Sequence, residues 1–250
     1  MGALAKKHLL HPLKRVDLLF YISFKREKPL KEILEMPLSD RIMYELAVWC
    51  NSRADDDPSI GFFSAPNMPH YRRVLQYPRE IKAYIDVLET FQPREIALEI
   101  GLDRGGTHFI WRQLFQEVIS VDNNYWWCCK ACVDFPSARS KIVYGNSKDA
   151  ECIQCVAHIL NGKLVDHLFI DGEHAYEGIL SDFRNYSQFV RPGGIIAFHD
   201  SHSLDGPVDV LAFIQDLKAG RICEWPAIEL NEINLPEGDR PNGISYFFKT

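Results

Sequence analysis

The sequence LEIGLDRGGT, at residues 98–107, decides the fold of this 250-residue chain. An apolar run at 95–100 predicts a β-strand, and a glycine-rich turn separates it from a helical pattern at 106–115. Glycine tolerates positive φ and lets a ligand approach the backbone, and a helix N-terminus offers unpaired N–H donors. The stretch therefore predicts a strand, a turn and a helix, with a ligand bound at the turn.

Short apolar runs alternate with amphipathic stretches after this unit, which is the pattern of a parallel sheet covered by helices. The predicted strands are 95–100, 118–121, 141–144, 165–170, 194–198, 222–230 and 244–248. The predicted helices are 106–115, 124–135, 148–160, 174–189 and one that follows Pro207 and ends near 218. Turn residues before the last strand favour an antiparallel pairing there. We therefore predict an α/β fold with a Rossmann-like doubly wound sheet, mostly parallel with an antiparallel last strand.

The chain before residue 78 lacks this alternation and predicts a helical and loop-rich N-terminal extension at 1–77. Its periodicity predicts helices at 29–36 and 40–50, followed by a Pro- and Asp-rich connector at 51–77. A helix with Pro78 at its first position then opens the main domain. We expect two parts, the extension at 1–77 and the main domain at 78–250.

The composition is that of a globular protein, with 46% hydrophobic, 25% charged and 12% aromatic residues. A disordered chain would be poorer in aromatic residues. A membrane span needs about 18 apolar residues in a row, and the longest candidate, 16–24, is shorter and contains Asp17. The start of the chain lacks the small-residue cleavage site of a secretory signal. We expect a cytoplasmic protein.

The net charge of −6 is distributed unevenly. Residues 1–35 carry a charge of +4, and the other 215 residues carry −10. The acidic body argues against nucleic acid as a partner, because nucleic-acid affinity rests on neutralised phosphates. The basic, Leu-rich start is consistent with peripheral membrane contact, or with an amphipathic helix docked on the same chain.

Seven cysteines, an odd number, argue against a disulfide framework and for reduced thiols. Cys129 and Cys132, with Cys152 and Cys155, have the spacing of a zinc site. The predicted connectivity places the two helices that carry them on opposite faces of the sheet, because parallel crossovers are right-handed. A shared zinc ion is therefore disfavoured, and we predict buried thiols instead.

Asp122 follows the second predicted strand, 21 residues after Gly101. An acid at that place accepts the hydroxyls of a ribose. The glycine spacing differs from the G-x-G-x-x-G that seats a dinucleotide pyrophosphate. Glu99 would repel a pyrophosphate and attract a cation, which favours S-adenosylmethionine as the ligand.

Two further motifs complete the pattern: FIDGEHAYEG at 169–178 and PGGIIAFHD at 192–200. Together with EIG and GGT in the first motif, they resemble the class I S-adenosylmethionine-dependent methyltransferases. Within that superfamily the chain resembles the group of cephalosporin hydroxylase/cephamycin-biosynthesis proteins and related small-molecule or sugar O-methyltransferases. The resemblance covers about residues 78–250.

The resemblance implies a set of cofactor-binding residues. Glu99, Gly101, Gly105 and Thr107 would shape the methionine pocket, Asp122 would hold the ribose, and Asp171 would lie beside them. Asn123 would wall the adenine together with the aromatic cluster Tyr125, Trp126 and Trp127. Asn146 stands where the family often has an acid that faces the adenine amino group.

The ends of the fourth and fifth predicted strands supply the residues expected to carry the reaction. Asp171, Asp200 and His199 are the candidate ligands of a divalent metal such as Mg²⁺, as in metal-dependent relatives. His174 and His199 are alternative ligands for a softer ion. Methyl transfer needs aligned partners and removal of the acceptor proton. We take His199 and His174 as the candidate bases, with Asp171 as a further catalytic residue.

These inferences predict transfer of a methyl group to a hydroxyl of a small molecule, with a sugar, a polyketide or a phenol left open. Two alternatives remain: a catalytically silent scaffold that binds an adenosyl ligand, and a nicotinamide-dependent oxidoreductase. The glycine spacing and the closing antiparallel strand argue against the oxidoreductase. The N-terminal helices are consistent with a homo-oligomer.

Overall fold

The computed structural model describes residues 28–50, 74, 76–202, 209–222, 228–233 and 242–250. Within them, seven strands form one sheet. The strands are β1 (Ile96–Ile100), β2 (Glu117–Asp122), β3 (Ser140–Tyr144), β4 (Val165–Ile170), β5 (Val190–His199), β6 (Asn231–Ile233) and β7 (Ile244–Phe248). The described helices are α1 (Leu30–Glu35), α2 (Leu38–Trp49), α3 (Pro78–Thr90), α4 (Gly106–Leu114), α5 (Tyr125–Asp134), α6 (Ala150–Leu160), α7 (Tyr176–Tyr186) and α8 (Val210–Lys218).

The strand order is β3-β2-β1-β4-β5-β7-β6. Strands β1 to β5 are parallel, and β7 is antiparallel to both β5 and β6. The chain moves outward from β1 to β3 and then returns to place β4 on the other side of β1. Ligands bind at the carboxyl ends of strands where the order reverses in this way. The predicted doubly wound sheet with an antiparallel last strand is confirmed, and its switch point lies between β1 and β4.

Two apolar cores cover the two faces of the sheet, because successive side chains of a strand point to opposite faces. Ala97 contributes to one core, which is packed by α2, α3, α4 and α5. Ile96 and Leu98 contribute to the other core, which is packed by α6, α7 and α8. Both faces are therefore closed, and the strand ends remain as the place for a ligand.

The helices before residue 78 share a core with the sheet. Ile42 and Leu46 of α2 are buried with residues of α3 and α4. The ring of Trp49 stacks on Phe109 of α4 and on Phe135, with centroids 5.1 and 5.6 Å apart. The boundary at residue 77 stays a prediction, and across it the described helices pack as one body with the sheet.

The predicted strand at 222–230 is absent from the part of it that the structure describes, residue 222 and residues 228–230, and residues 223–227 lie outside the described residues. The strand described next along the chain is β6, at Asn231–Ile233, and among the described strands it pairs with β7 alone. Residues 228–230 carry no strand pairing, because the register with β7, not the apolar run, decides which residues are paired. Strand β5 also begins earlier than predicted, since Val190 pairs with Val165 before an irregularity in the β4 ladder.

The cysteines are only partly as predicted. Cys128 and Cys152 are buried, in cores on opposite faces of the sheet. Cys129, Cys132 and Cys155 are exposed. Helix α5 turns Cys128 and Ala131 into the core, and α6 turns Cys152, Val156 and Leu160 into it. The prediction of buried thiols is therefore wrong for these three residues.

Several predicted features lie outside the described residues. They are the basic segment at 1–27, most of the connector at 51–77, and the turns at 203–208 and 234–241. No helix in the described ranges combines the length and the apolar character that a membrane span requires.

Candidate active site

A cavity of about 890 Å³ opens at the carboxyl ends of β1 to β5. The turn after β1 and the ends of β2 and β3 form one half of its lining: Ile100, Gly101, Leu102, Asp103, Gly106, Thr107, Val121, Asp122, Asn123, Asn124, Trp127, Gly145, Asn146, Ser147 and Lys148. The other half is formed by Gln76, Asp171, Gly172, Glu173, His174, His199, Asp200 and Asn242. The cavity thus brings together most of the residues that the sequence singled out.

The turn after β1 passes directly against the loop after β4. Gly101 has a φ of +96°, and its N–H donates to the carbonyl oxygen of Val121 at 2.9 Å. A Cβ atom at residue 101 would lie 2.0 Å from the backbone oxygen of Asp171. Glycine is therefore required here by close approach of two backbones as well as by φ.

Gly105 acts through conformation and does not line the cavity. It is the N-cap of α4, in the left-handed region with a φ of +82°. A Cβ there would lie 3.0 Å from the Phe135 ring. Gly105 thereby sets the direction of α4, whose first residues, Gly106 and Thr107, do line the cavity.

Glu99 lies beneath the turn and is 0% exposed. Its carboxyl accepts hydrogen bonds from Trp111 Nε1 at 2.9 Å and from Ser120 Oγ at 2.6 Å. Burial raises the pKa of Glu99 to about 8, although the hydrogen bonds oppose this. Glu99 is buried and does not line the cavity, so its predicted attraction for a cationic ligand would act from beneath the turn and stays a prediction.

Asp122 organises the rim of the cavity. Its Oδ2 accepts from the N–H groups of Leu102 and Asp103 at 2.8 and 3.0 Å, and its Oδ1 accepts from the N–H of Asn124 at 2.7 Å. A carboxylate has about four acceptor positions. These three amides therefore leave acceptor capacity for a ligand hydroxyl.

The predicted adenine wall is only partly present. Asn123, Asn146 and Trp127 line the cavity, and the Arg104 guanidinium lies 4.9 Å from the centre of the Trp127 ring. Tyr125 and Trp126 are 55% and 76% exposed. These two rings point away from the core and are absent from the lining, because α5 presents that side to solvent.

Asp171, His174 and Asp200 form a compact group at the ends of β4 and β5. His174 Nε2 lies 3.5 Å from Asp171 Oδ1 and 3.1 Å from Asp200 Oδ2. One donor atom from each residue falls within 4.8 Å of the others. The hydrogen bond from His174 to Asp171 raises the pKa of His174 above its ordinary value, although burial opposes the shift. The predicted metal set of Asp171, Asp200 and His199 stays a prediction, and the geometry adds His174 as a further candidate ligand beside the two carboxylates.

His199 stands behind this group and is 3% exposed. Its Nε2 lies 3.0 Å from Glu80 Oε1, and its Nδ1 lies 3.2 Å from Asp171 Oδ1 and 3.4 Å from Asp200 Oδ2. Burial would lower the pKa of His199, but the Asp171, Asp200 and Glu80 carboxylates raise it well above the usual value. A ring that donates from both nitrogens has no lone pair for a further proton. This geometry disfavours His199 as the general base and favours His174.

Two residues that the sequence analysis did not identify precede β1 in the chain and form hydrogen bonds with side chains of the site. Gln76 Nε2 donates to Asp171 Oδ2 at 2.6 Å, and Glu80 contacts His199. Glu80 could have been noticed, because it falls on the apolar stripe of α3 with Tyr84 and is a charge at a buried position. Gln76 carries no comparable signal in the sequence.

A buried carboxyl, Asp182 of α7, lies beneath the cavity floor and predicts a pH-dependent stability. It is 1% exposed, neither of its carboxyl oxygens accepts a hydrogen bond from the described part of the chain, and burial raises its pKa to about 6. Because the folded pKa exceeds the unfolded one, stability is lost as the pH rises from about 4 to 6. We expect Asp182→Asn to stabilise the protein by about 2 kcal/mol at pH 7.5 and not at pH 4, measured as thermal unfolding at both pH values.

The exposed Glu177 on the same helix provides the control for Asp182. Glu177→Gln removes a carboxylate without unburying anything, so its unfolding temperature is expected to match the wild type at both pH values. An Asp182→Asn protein that unfolds at a lower temperature than the wild type at pH 7.5 would contradict the argument.

Comparison with known proteins agrees with this fold. Residues 98–201 match the family model described as a methyltransferase domain. Uncharacterized protein R132 of Acanthamoeba polyphaga mimivirus is 34% identical over 65 residues, which are 24% of this chain and 29% of that protein. The matched stretch thus spans less than a third of the curated relative.

Two solved structures share the architecture. One, a candidate rRNA methylase from Clostridium thermocellum, has a TM-score of 0.54 at 10% identity and covers 68% of this chain and 97% of its own. The other is the MycE methyltransferase of the mycinamycin biosynthetic pathway, solved with Mg, SAH and mycinamycin VI. It has a TM-score of 0.50 at 18% identity and covers 86% of this chain and 55% of its own.

The fold and the site define a class I methyltransferase architecture. The methyltransferase-domain model matches residues 98–201, which run from β1 to the residues directly after β5. The resemblance to the class I S-adenosylmethionine-dependent methyltransferases is therefore confirmed.

Proposed function

We propose that the protein transfers a methyl group from S-adenosylmethionine to a hydroxyl of a polar small molecule, with a sugar as the favoured acceptor class. The observation that carries the proposal is the division of the cavity into two chemically different halves. The half at the ends of β1 to β3 contains the glycine turn and Asp122. The half at the ends of β4 and β5, which Asn242 also lines, contains the acid and histidine group, namely Asp171, His174, His199 and Asp200.

The cofactor half suits an adenosyl ligand. Gly101 keeps the turn close to the sheet, and Thr107 lies in the first turn of α4, where unpaired N–H groups favour a carboxylate such as that of a methionine moiety. Asp122 retains acceptor capacity for ribose hydroxyls. Asn123 and Asn146 offer amide groups to the adenine edge.

The acceptor half is polar. Among its described lining residues, every one except Gly172 has a polar or charged side chain. Hydroxyl-rich ligands are recognised by such side chains, whereas a phenol or a polyketide is held mainly by apolar and aromatic ones. This supports a sugar hydroxyl over the other acceptors that the sequence left open.

The group at the strand ends fits a divalent cation by its chemistry. Mg²⁺ prefers oxygen ligands, so Asp171 and Asp200 would hold it and leave His174 unliganded. A bound cation would lower the pKa of the acceptor hydroxyl. Gln76 engages one oxygen of Asp171 and thereby orients the carboxylate.

The chain's own residues supply alignment and proton removal. The acceptor oxygen forms a bond to the methyl carbon as the bond from that carbon to the sulfonium breaks, which leaves S-adenosylhomocysteine. The hydroxyl proton passes to Nδ1 of His174, because Nε2 faces the Asp171 and Asp200 carboxylates and carries the hydrogen that it donates to them. The His174 side chain lines the cavity and is partly exposed. Asp171 stabilises the imidazolium that forms, because its carboxylate accepts from the opposite nitrogen, Nε2.

Calorimetric titration with S-adenosylhomocysteine tests the proposal, run with and without EDTA and with NADH as a second ligand. We expect saturable binding of S-adenosylhomocysteine alone. Asp122→Asn should weaken S-adenosylhomocysteine binding about 100-fold. The variant loses an acceptor for the ribose hydroxyls, and its amide can no longer accept all of the hydrogen bonds from the backbone N–H groups of residues 102 and 103.

Asp149→Asn is the matched control, because Asp149 is an exposed acid at the same edge of the sheet and does not line the cavity. Its affinity should equal that of the wild type. NADH binding, or no binding of S-adenosylhomocysteine, would discard the proposed function. Binding without turnover on a panel of sugars would favour the silent scaffold.

A further inference from the structure

Glu80 is a carboxylate on an otherwise apolar helix face. It lies in the first turn of α3, one turn before Tyr84 and two before Leu88, and all three residues are 0% exposed. Removing a carboxylate from water is costly unless it is fully hydrogen-bonded. The contacts of Glu80 must therefore offset a substantial desolvation cost.

Both oxygens of Glu80 are engaged, each by a different part of the fold. Oε1 accepts from His199 Nε2 at 3.0 Å, and Oε2 accepts from the backbone N–H of Gly243 at 2.7 Å. Gly243 follows Asn242, which lines the acceptor half of the cavity. Glu80 thus joins α3, the end of β5 and the approach to β7 without lining the cavity itself.

The contact between Glu80 and His199 also affects Asp171 and Asp200, because the same imidazole ring contacts both carboxylates. The opposite nitrogen of the ring, Nδ1, faces Asp171 Oδ1 at 3.2 Å and Asp200 Oδ2 at 3.4 Å. A ring held at Nε2 cannot rotate without losing that hydrogen bond. Glu80 therefore determines the point from which His199 donates to the two carboxylates.

The approach to β7 is fixed in the same way. The N–H of Ser201 donates to the carbonyl oxygen of Gly243 at 3.2 Å, and that of His202 donates to Asn242 at 2.7 Å. These two bonds tie residues 242 and 243 to the segment directly after Asp200. Glu80 fixes the same two residues from α3, because its carboxylate accepts a hydrogen bond from the N–H of Gly243.

We propose that Glu80 is a positioning residue for methyl transfer: through His199 it holds Asp171 and Asp200 at the separation that a divalent cation needs, and through Gly243 it holds Asn242 at the acceptor. The inference rests on the proposed function, because that function supplies the need for the cation. Groups that stand behind metal ligands commonly change metal affinity 10- to 100-fold when replaced. A merely structural Glu80 would change thermal stability and leave cation affinity unaltered.

Titration of the full-length protein with Mn²⁺, used as the probe for a divalent cation, separates these two roles. Glu80→Gln keeps the shape but replaces one acceptor oxygen by an NH₂ donor, so one of the two hydrogen bonds is lost. We expect Mn²⁺ affinity to fall about 10-fold while S-adenosylhomocysteine affinity and near-UV circular dichroism stay as in the wild type. Asp86→Asn, on the exposed side of the same helix, should leave all three unchanged.

A second variant tests the route through His199. His199→Gln cuts the same connection from the other side and should weaken Mn²⁺ binding to a similar extent. Because the two residues act in series, the double variant should be no weaker than the weaker single variant. Glu80→Asp keeps the charge but shortens the side chain, and we expect its Mn²⁺ affinity to lie between those of the wild type and Glu80→Gln.

Each other result counts against the proposal. Wild-type Mn²⁺ affinity in Glu80→Gln, fully additive effects in the double variant, or no Mn²⁺ binding by a wild-type protein that binds S-adenosylhomocysteine would overturn the positioning role and leave the cofactor assignment standing. If neither Glu80→Gln nor Glu80→Asp folds, the carboxylate is a folding requirement and the positioning role is also overturned. No S-adenosylhomocysteine binding by the wild type overturns the proposed function, and this inference with it.

Discussion

Gly101→Ala is expected to destabilise the protein by about 4 kcal/mol and to abolish S-adenosylhomocysteine binding. The added Cβ would lie 2.0 Å from the backbone oxygen of Asp171, so the turn after β1 and the loop after β4 must separate. Overpacking costs about 1–3 kcal/mol, and a positive φ costs an L residue about 1–2 kcal/mol more. The loss should appear as a fall of about 10 °C in unfolding temperature.

Gly162→Ala is a matched control for this prediction. Gly162 has a similar φ of +81°, but no atom lies within 4 Å of the position of its Cβ. Only the backbone strain then applies, about 1–2 kcal/mol, and ligand affinity should not change. Equal destabilisation by the two variants would show that φ, and not contact between the two backbones, makes glycine necessary at residue 101.

Asp171→Asn is expected to lower methyl transfer roughly 1,000-fold. The variant removes the charge that faces both His174 and His199, and its NH₂ group would oppose their donors. It also removes one of the two carboxylates proposed to hold a cation. Release of S-adenosylhomocysteine measures the rate, and Mn²⁺ titration of the same protein should show no saturable binding.

The shape of Asp171 is retained in this variant, so the cofactor half of the cavity should be spared. We expect S-adenosylhomocysteine affinity within about 10-fold of the wild type. Glu177→Gln, which removes an exposed acid six residues further along the chain, should have wild-type turnover. Full turnover by Asp171→Asn would refute the role given to the acid and histidine group.

The sheet and the position of the site could be predicted because local patterns determine them. Alternation of apolar runs with amphipathic helices gives the parallel order, and the carboxyl ends of parallel strands meet at one edge. Gly101, Asp122 and Asp171 therefore come together as expected. Strand β6 could not be placed, because its bounds depend on pairing with β7 and not on its own residues.

The chemistry of individual groups was less accessible to sequence analysis. Glu99 and His199 have the expected positions, but their protonation depends on burial and on partners that are distant in sequence. His199 meets Glu80, 119 residues upstream, and no pattern in a single sequence records that contact. The proton acceptor was therefore assigned to two histidines, and only the geometry favours His174.

The packing of Trp49 limits how this fold can be divided. Its ring stacks on Phe109 and Phe135 and approaches to 3.8 Å from the position of a Cβ at Gly105, and Gln76 binds Asp171. A fragment that began at residue 78 would lack both contacts, although it would keep all seven of the described strands. The segment around α2 is thus not a removable module, and an exchange of catalytic domains with a relative would have to carry it along.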